Sequence, residues 1–431
     1  MVQRERAPLW AVAILWMAAC MGYITAGTSI TPFHGDEATQ VYMSRDYAYQ
    51  FIQRDLVRIA YADPPLSAQE QELRLLNGTV NKMLIGLAWH AAGFGVDDLN
   101  QQWDWGADWT YNQTTGHSPA ESLLQTARVP SAALLAIGAI PMFVIGYAAG
   151  GWVGGFAASG LYALHPALLV NGRRAMMEGS LIAFSLLTLA FGIGWIKTRS
   201  WGYTLAVGLV SGLALASKHT AIFTAGVVFV VCALDTVMRH PRQAVRDLLR
   251  LGIAGILAAV VFLLLNPAWW SDPMRAAGEV LRLRGALLEG QAAAFGGYPD
   301  AGAATVGFFR QTFVWQPQYY EISTWVTYIG DQIVRYQASG LAGVLGGMGW
   351  IGFPFVLFSG LGFWALRRER HTNHAAALIA AWAGVMLVSA LLFTPLEWGR
   401  YYLSAVLAAI VLSGAGAAFL LRRLQRNRNA G

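Results

Sequence analysis

The sequence predicts an all-α polytopic membrane protein of about ten transmembrane helices, with two long outer loops that contain amphipathic helices. Three observations predict it. Hydrophobic residues make up 56% of the 431-residue chain and charged residues only 13%, about half the charged share of a soluble domain. The apolar residues gather in runs, most of them about as long as a helix that crosses a bilayer. The basic residues fall on one side of the alternation that these runs impose.

The first run extends from Leu9 to about Ile30 and follows Arg4 and Arg6. Ala18-Ala19-Cys20 has the look of a cleavage site. The apolar run continues past Cys20, however, and Met17 stands where an aliphatic residue is usual, so the segment reads as a retained anchor. Further runs cover 131–149, 152–170, 179–196, 203–217, 220–236, 251–265, 340–366, 375–393 and 401–421. Both cysteines, Cys20 and Cys232, lie inside such runs and read as small core hydrophobes, not as a disulfide or a metal site.

With the N-terminus inside, the inner pieces hold Arg4, Arg6, Lys197, Arg199, Arg239, Arg242, Arg246, Arg250, Arg367, Arg368, Arg370, Arg422, Arg423, Arg426 and Arg428. These are 15 of the 30 basic residues, against four acids, Glu5, Asp235, Asp247 and Glu369. The outer side keeps 15 basic and 20 acidic residues. The net charge of +6 is therefore a topology signal and not a nucleic-acid footprint. It places both termini in the cytoplasm of a multi-pass plasma-membrane protein. Two stretches, 31–130 and 266–339, are too long to be simple connections, and both fall outside. Loops of that length in a compact protein are usually functional, and the second reads as a substrate-binding lid.

Four separated pieces place ionisable residues at the outer ends of the helices. They are His34-Gly35-Asp36-Glu37, Arg173-Arg174 with Glu178, Lys218-His219, and Glu397 with Arg400-Tyr401. Ionisable groups at membrane depth are costly and by default functional. A carboxylate can take the proton of an attacking hydroxyl, while arginine and lysine hold phosphate. On an outer face without nucleotides, that combination points to group transfer from a lipid phosphate. The same charges fit a second class, a transporter or flippase of an anionic lipid-linked substrate, although no inverted repeat is evident.

Five stretches resemble the GT-C glycosyltransferase superfamily, in particular the protein O-mannosyltransferases and aminoarabinose–lipid A transferases. They are His34–Ala38, Ala127-Arg128-Val129-Pro130-Ser131-Ala132, Arg173–Glu178, Gly212–Thr220 and Arg400-Tyr401-Tyr402-Leu403. The chain departs from the pattern at Gly78–Met83, where the family commonly has a double proline, at His219 in place of tyrosine, and at Glu178 in place of aspartate. The resemblance implies an inverting transfer of a sugar from a polyprenyl-phosphate donor to a hydroxyl acceptor. Asp36 would be the general base, and Glu37 would orient the acceptor or tune Asp36. Lys218 and Arg400 would bind the leaving phosphate, with Arg173, Arg174 and Lys82 as further candidates. Glu178, His219, Tyr401 and His34 would line the substrates. No cofactor is expected, and no Cys/His spacing points to a metal. Trp269-Trp270 and the aromatic stretch 315–320 fit a membrane interface as well as sugar faces. Asn77-Gly78-Thr79 and Asn112-Gln113-Thr114 are glycosylation sequons.

Overall fold

The computed structural model of the protein describes residues 7–370 and 373–430. Arg4, Glu5 and Arg6, which help to orient the first run, lie outside the described residues. Among the described residues there is no strand, only one isolated bridge between Trp315 and Gly346. Eight helical stretches are long and apolar enough to cross a membrane: Leu9–Ala26, Glu121–Leu164, Glu178–Thr198, His219–Arg239, Pro241–Leu265, Met348–Glu369, His374–Phe393 and Gly399–Arg428. This is a multi-pass membrane protein.

The 44-residue stretch Glu121–Leu164 contains two of the expected runs. It folds back at Gly150 and Gly151, and Gly151 takes φ +66°, ψ −154°, a conformation essentially reserved for glycine. The two arms touch. A Cβ on Gly146 would lie 2.4 Å from the Gly154 carbonyl oxygen, and the Phe143 and Phe156 rings meet edge to face at 5.3 Å. The glycine repeats at 146–155 thus serve close helix approach. With this fold-back and the shorter apolar helix Trp201–Ser217, each of the expected runs corresponds to a helix.

Several boundaries differ from the sequence reading, and three of them have a plain local reason. The run expected over 152–170 breaks at His165, which is extended (φ −75°, ψ 116°) because Pro166 disfavours helical backbone before it. The run expected from 340 becomes helical only at Met348. Gly340 and Gly343 take positive φ there, and Val344 donates to the Leu164 carbonyl at 2.9 Å. The run expected from 251 begins earlier, at Ala244. Arg246 and Arg250 pair with Asp247 in its opening turns, so helix extends there through charged residues that end the apolar run.

The core sits on the last long helix, whose Val406, Ala408, Ala409 and Ile410 are completely buried. Small residues let its neighbours approach. A Cβ on Gly362 would lie 1.9 Å from the Leu412 carbonyl oxygen, and one on Gly416 would lie 2.1 Å from that of Phe358. Outward-facing residues such as Leu15, Val245 and Leu264 remain exposed, as lipid-facing side chains must.

The two long segments pack on each other. From the first come helices Gly35–Met43, Ala68–Leu76 and Thr79–Ala91; from the second come Pro273–Phe295, Ala301–Phe313 and Val326–Ala338. Leu75 shares an apolar cluster with Ala268, Ala276 and Val280. Gln332 accepts the Phe33 amide at 2.9 Å. Asn112, the acceptor of the second sequon, is fully buried and spends its amide on the Asp104 and Asp108 carbonyls. It does not offer an accessible glycosylation point.

Candidate active site

The helix Gly35–Met43 begins with a capping box. The Asp36 amide donates to His34 Nδ1 at 3.1 Å, and the His34 amide donates to Glu37 Oε2 at 3.1 Å. Because Nδ1 accepts, the imidazole proton belongs on Nε2, which donates to Glu321 Oε2 at 2.6 Å. Burial pushes the His34 pKa below its ordinary value, so the ring is neutral. Burial alone would raise Glu321. The hydrogen bond from His34 and the charge of Arg174 outweigh it and hold this carboxyl below the usual range.

Asp36 and Glu37 are neighbours on one helix, about 100° apart around its axis, and their surroundings differ completely. The Asp36 side chain keeps 29% of its surface exposed and pairs through Oδ2 with Arg400. Arg400 also lies 3.8 Å from Glu321 Oε1 and packs over the Trp398 and Tyr401 rings at 4.9 and 5.7 Å. Glu37 is wholly buried. It takes a two-pronged pair from Arg128 at 2.7 and 2.9 Å, and the Ala175 amide at 2.9 Å. Burial would raise its pKa, but Arg128 outweighs this and holds it low.

The remaining predicted residues divide into two groups. Lys218 pairs with Glu178 at 2.9 Å, joining two of the clusters separated in sequence, while Glu178 Oε2 is buried without a partner among the described residues. His219 sits against the Phe262 and Trp269 rings. Tyr401 donates to Gln291 at 2.9 Å. Gly78, where the chain departs from the family pattern, abuts this region. A Cβ there would lie 1.9 Å from the Ser217 carbonyl oxygen, so glycine allows the contact.

Arg173 and Lys82 are committed to contacts elsewhere, and Arg174 reaches the site through its charge on Glu321 and Glu37 but spends its hydrogen bonds on backbone. Arg173 is fully buried and spends its guanidinium on the Ile24, Tyr23 and Leu341 carbonyls and the Tyr336 hydroxyl. Arg174 donates to the Pro32 and Tyr319 carbonyls. Lys82 is buried against Asp46 at 2.6 Å, and Asp46 also accepts from Arg74. Burial lowers the Lys82 pKa. For Asp46, Lys82 and Arg74 outweigh burial and hold the carboxyl low.

Sequence reasoning passed over three residues. Arg128 carried no assigned role, although it stands in a motif. Glu321 is a lone carboxylate after an aromatic stretch and has no spacing signal. Arg284, on the helix Pro273–Phe295, lies 6.0 Å from the Tyr401 ring, and its charge reaches His219. Among the described residues no carboxylate pairs with it. Its amphipathic helix was the one available hint.

Elsewhere, Asp235, His240 and His374 bring three potential ligand atoms within 4.8 Å of one another. Asp235 already pairs with Arg199 and Arg239, so a metal ion there would meet two positive charges.

No family model matches the chain, and no curated protein matches it in sequence. Solved structures do. An oligosaccharyltransferase from Archaeoglobus fulgidus, in the apo form, matches 97% of this chain and 51% of its own length with a TM-score of 0.53 at 11% identity. The same enzyme tethered to an acceptor peptide matches with a TM-score of 0.47 at 12% identity, over 99% and 51% of the two chains. The S. cerevisiae protein O-mannosyltransferase complex Pmt1–Pmt2, bound to its sugar donor, matches 59% of this chain and 33% of its own with a TM-score of 0.43 at 14% identity. The chain thus spans about half of the length of the archaeal enzyme and about a third of the yeast one. The fold is similar to that of GT-C glycosyltransferases.

Proposed function

We propose that the protein is an inverting glycosyltransferase. It moves a sugar from a polyprenyl-phosphate donor to an acceptor hydroxyl on the outer face of the membrane. The observation that carries this reading is the contact between Asp36 and Arg400, a base candidate and a phosphate binder from opposite ends of the chain. It is supported by a fold like that of an enzyme that transfers oligosaccharide and by the unpaired Arg284 nearby.

In this reading the acceptor oxygen attacks the anomeric carbon while Asp36 takes its proton. The bond from that carbon to the phosphate oxygen breaks on the opposite side, and its electron pair leaves on the polyprenyl phosphate. Arg400, Arg284 and Lys218 neutralise the developing charge. An arginine on the base blunts it, so Arg400 turns to the donor phosphate and frees Asp36 only when donor is bound. His34 and Glu321 fix the start of the Asp36 helix, and Glu178 holds Lys218. Glu37, Arg128, Arg173, Arg174 and Lys82 have committed their hydrogen bonds to the protein and hold the walls of the site.

The test is reconstitution in liposomes with a panel of polyprenyl-phosphate sugars and a crude acceptor extract. Polyprenyl phosphate released only when acceptor is present supports transfer. Absence of release with every donor, while labelled lipid-linked sugar changes leaflet, overturns it in favour of a transporter.

A further inference from the structure

Beside the base lies a group of aromatic rings from both long segments. Phe33, Trp103, Trp109 and Trp325 are buried and pack together. Two further rings stack on this base and remain open. Trp105, 44% exposed, stacks on Trp325 at 5.8 Å and 25°, and Tyr328, 42% exposed, stacks on Trp109 at 5.3 Å and 10°. Each has one face covered by its stacking partner and keeps more than two fifths of its surface exposed. Trp325 and Tyr328 are three residues apart on one helical turn, which sets the two stacks side by side.

This shelf adjoins the residue before Asp36. A Cβ on Gly35 would lie 3.1 Å from both the Trp103 and the Trp105 rings. Position 35 therefore lets the rings come up against the backbone that carries the base. The Trp109 indole Nε1 is buried and has no hydrogen-bond partner among the described residues. Three exposed carboxylates, Asp104, Asp108 and Asp331, flank the shelf, and one exposed cation, Arg335, lies one turn beyond, donating to the Asp331 carbonyl at 3.3 Å.

We infer that this shelf is the acceptor subsite and that the acceptor is a glycan, an inference that rests on the transferase reading above. A sugar ring offers an apolar C–H face to an aromatic plane and hydroxyls at its edge, which carboxylates accept. One ring stacked on Trp105 spans the short gap between the shelf and Asp36, presenting a hydroxyl to the base. The alternative occupant of exposed tryptophan and tyrosine is the lipid interface, but anionic headgroups repel a shelf rimmed by three carboxylates.

The test is a binding measurement on the full-length Asp36→Asn protein in detergent, which needs no turnover. The probe is the neutral oligosaccharide fraction of the acceptor extract, titrated against tryptophan fluorescence. Saturable quenching is expected, weakened about tenfold by Trp105→Ala and by Tyr328→Ala, and largely kept by Trp105→Phe. In the active protein the same alanine variants raise the KM for acceptor about tenfold and change kcat less. Unaltered quenching in both alanine variants overturns the subsite. So does quenching by the protease-sensitive fraction alone, or a blue shift of Trp105 emission on anionic vesicles with no response to sugar. If the donor is never turned over but the oligosaccharide binding behaves as described, the transferase reading fails and the glycan site stands.

Discussion

Asp36 and Asp46 lie ten residues apart in the first long segment, and both face arginine. Around Asp46 nothing is left over. Its side chain is 4% exposed, Arg74 donates to both oxygens and Lys82 is a second cation on it. Around Asp36 the accounts stay open. Its side chain is 29% exposed, and its partner Arg400 is shared loosely with Glu321. A closed set of charges has no capacity for a ligand, whereas an open one exchanges partners when a phosphate arrives. The difference separates residues that hold the wall from residues that meet substrate.

Substitutions at the two positions should separate in the same way. The largest effect expected is on turnover. Asp36→Asn removes the proposed general base, and transfer should fall by roughly 10²–10⁴-fold with little change in thermal stability. Asp46→Asn should do the reverse. It leaves the buried Lys82 uncompensated and Arg74 with Glu70 as its one remaining carboxylate among the described residues, and costs about 3–5 kcal/mol of stability, while the fraction that remains folded keeps its specific activity. Thermal unfolding in detergent, followed by size-exclusion, measures the first quantity, and turnover per folded molecule measures the second. Glu37→Gln should behave like Asp46→Asn despite its place beside Asp36, because its Arg128 pair is equally enclosed.

A smaller effect is expected at the edge of the open cluster. Lys218→Ala removes the proposed phosphate contact and the ion pair with Glu178, so the KM for donor should rise about tenfold while donor-saturated turnover changes less. An unchanged KM would detach the Lys218–Glu178 pair from the donor.

The smallest effect concerns pH. His34 is held below its ordinary value of 6.5, so protonation favours the unfolded chain, and stability falls as pH drops below that value. Asp46, Glu37 and Glu321 are also held low, but their contribution is lost only in stronger acid. Between about pH 6.5 and 5, the apparent melting temperature of the wild type should decline more steeply than that of His34→Gln.

Much of this architecture is written in hydropathy. The apolar runs, the fold-back glycines at 150 and 151 and the gathering of His34, Asp36, Arg400 and Tyr401 all follow from residue type and alternation. What the sequence conceals is direction. Asp36 and Glu37, adjacent on one helix, turn one carboxylate outward and one into the wall, and no spacing says which. Arg173 and Arg174 look like phosphate binders until their donors are seen on backbone carbonyls. Lys82 needs Asp46 and Arg74 to explain it, and those contacts are set by tertiary packing. Glu321 and Arg284 come from a segment whose helices show little periodic signal beyond amphipathicity.

The most direct measurement is release of polyprenyl phosphate in liposomes by wild type, Asp36→Asn and Asp46→Asn, each normalised to folded protein and paired with a donor-binding titration. Donor bound by all three, with release abolished only in Asp36→Asn, is the expected result. Equal release from wild type and Asp36→Asn would contradict the account, because the open carboxylate would then carry no part of the chemistry.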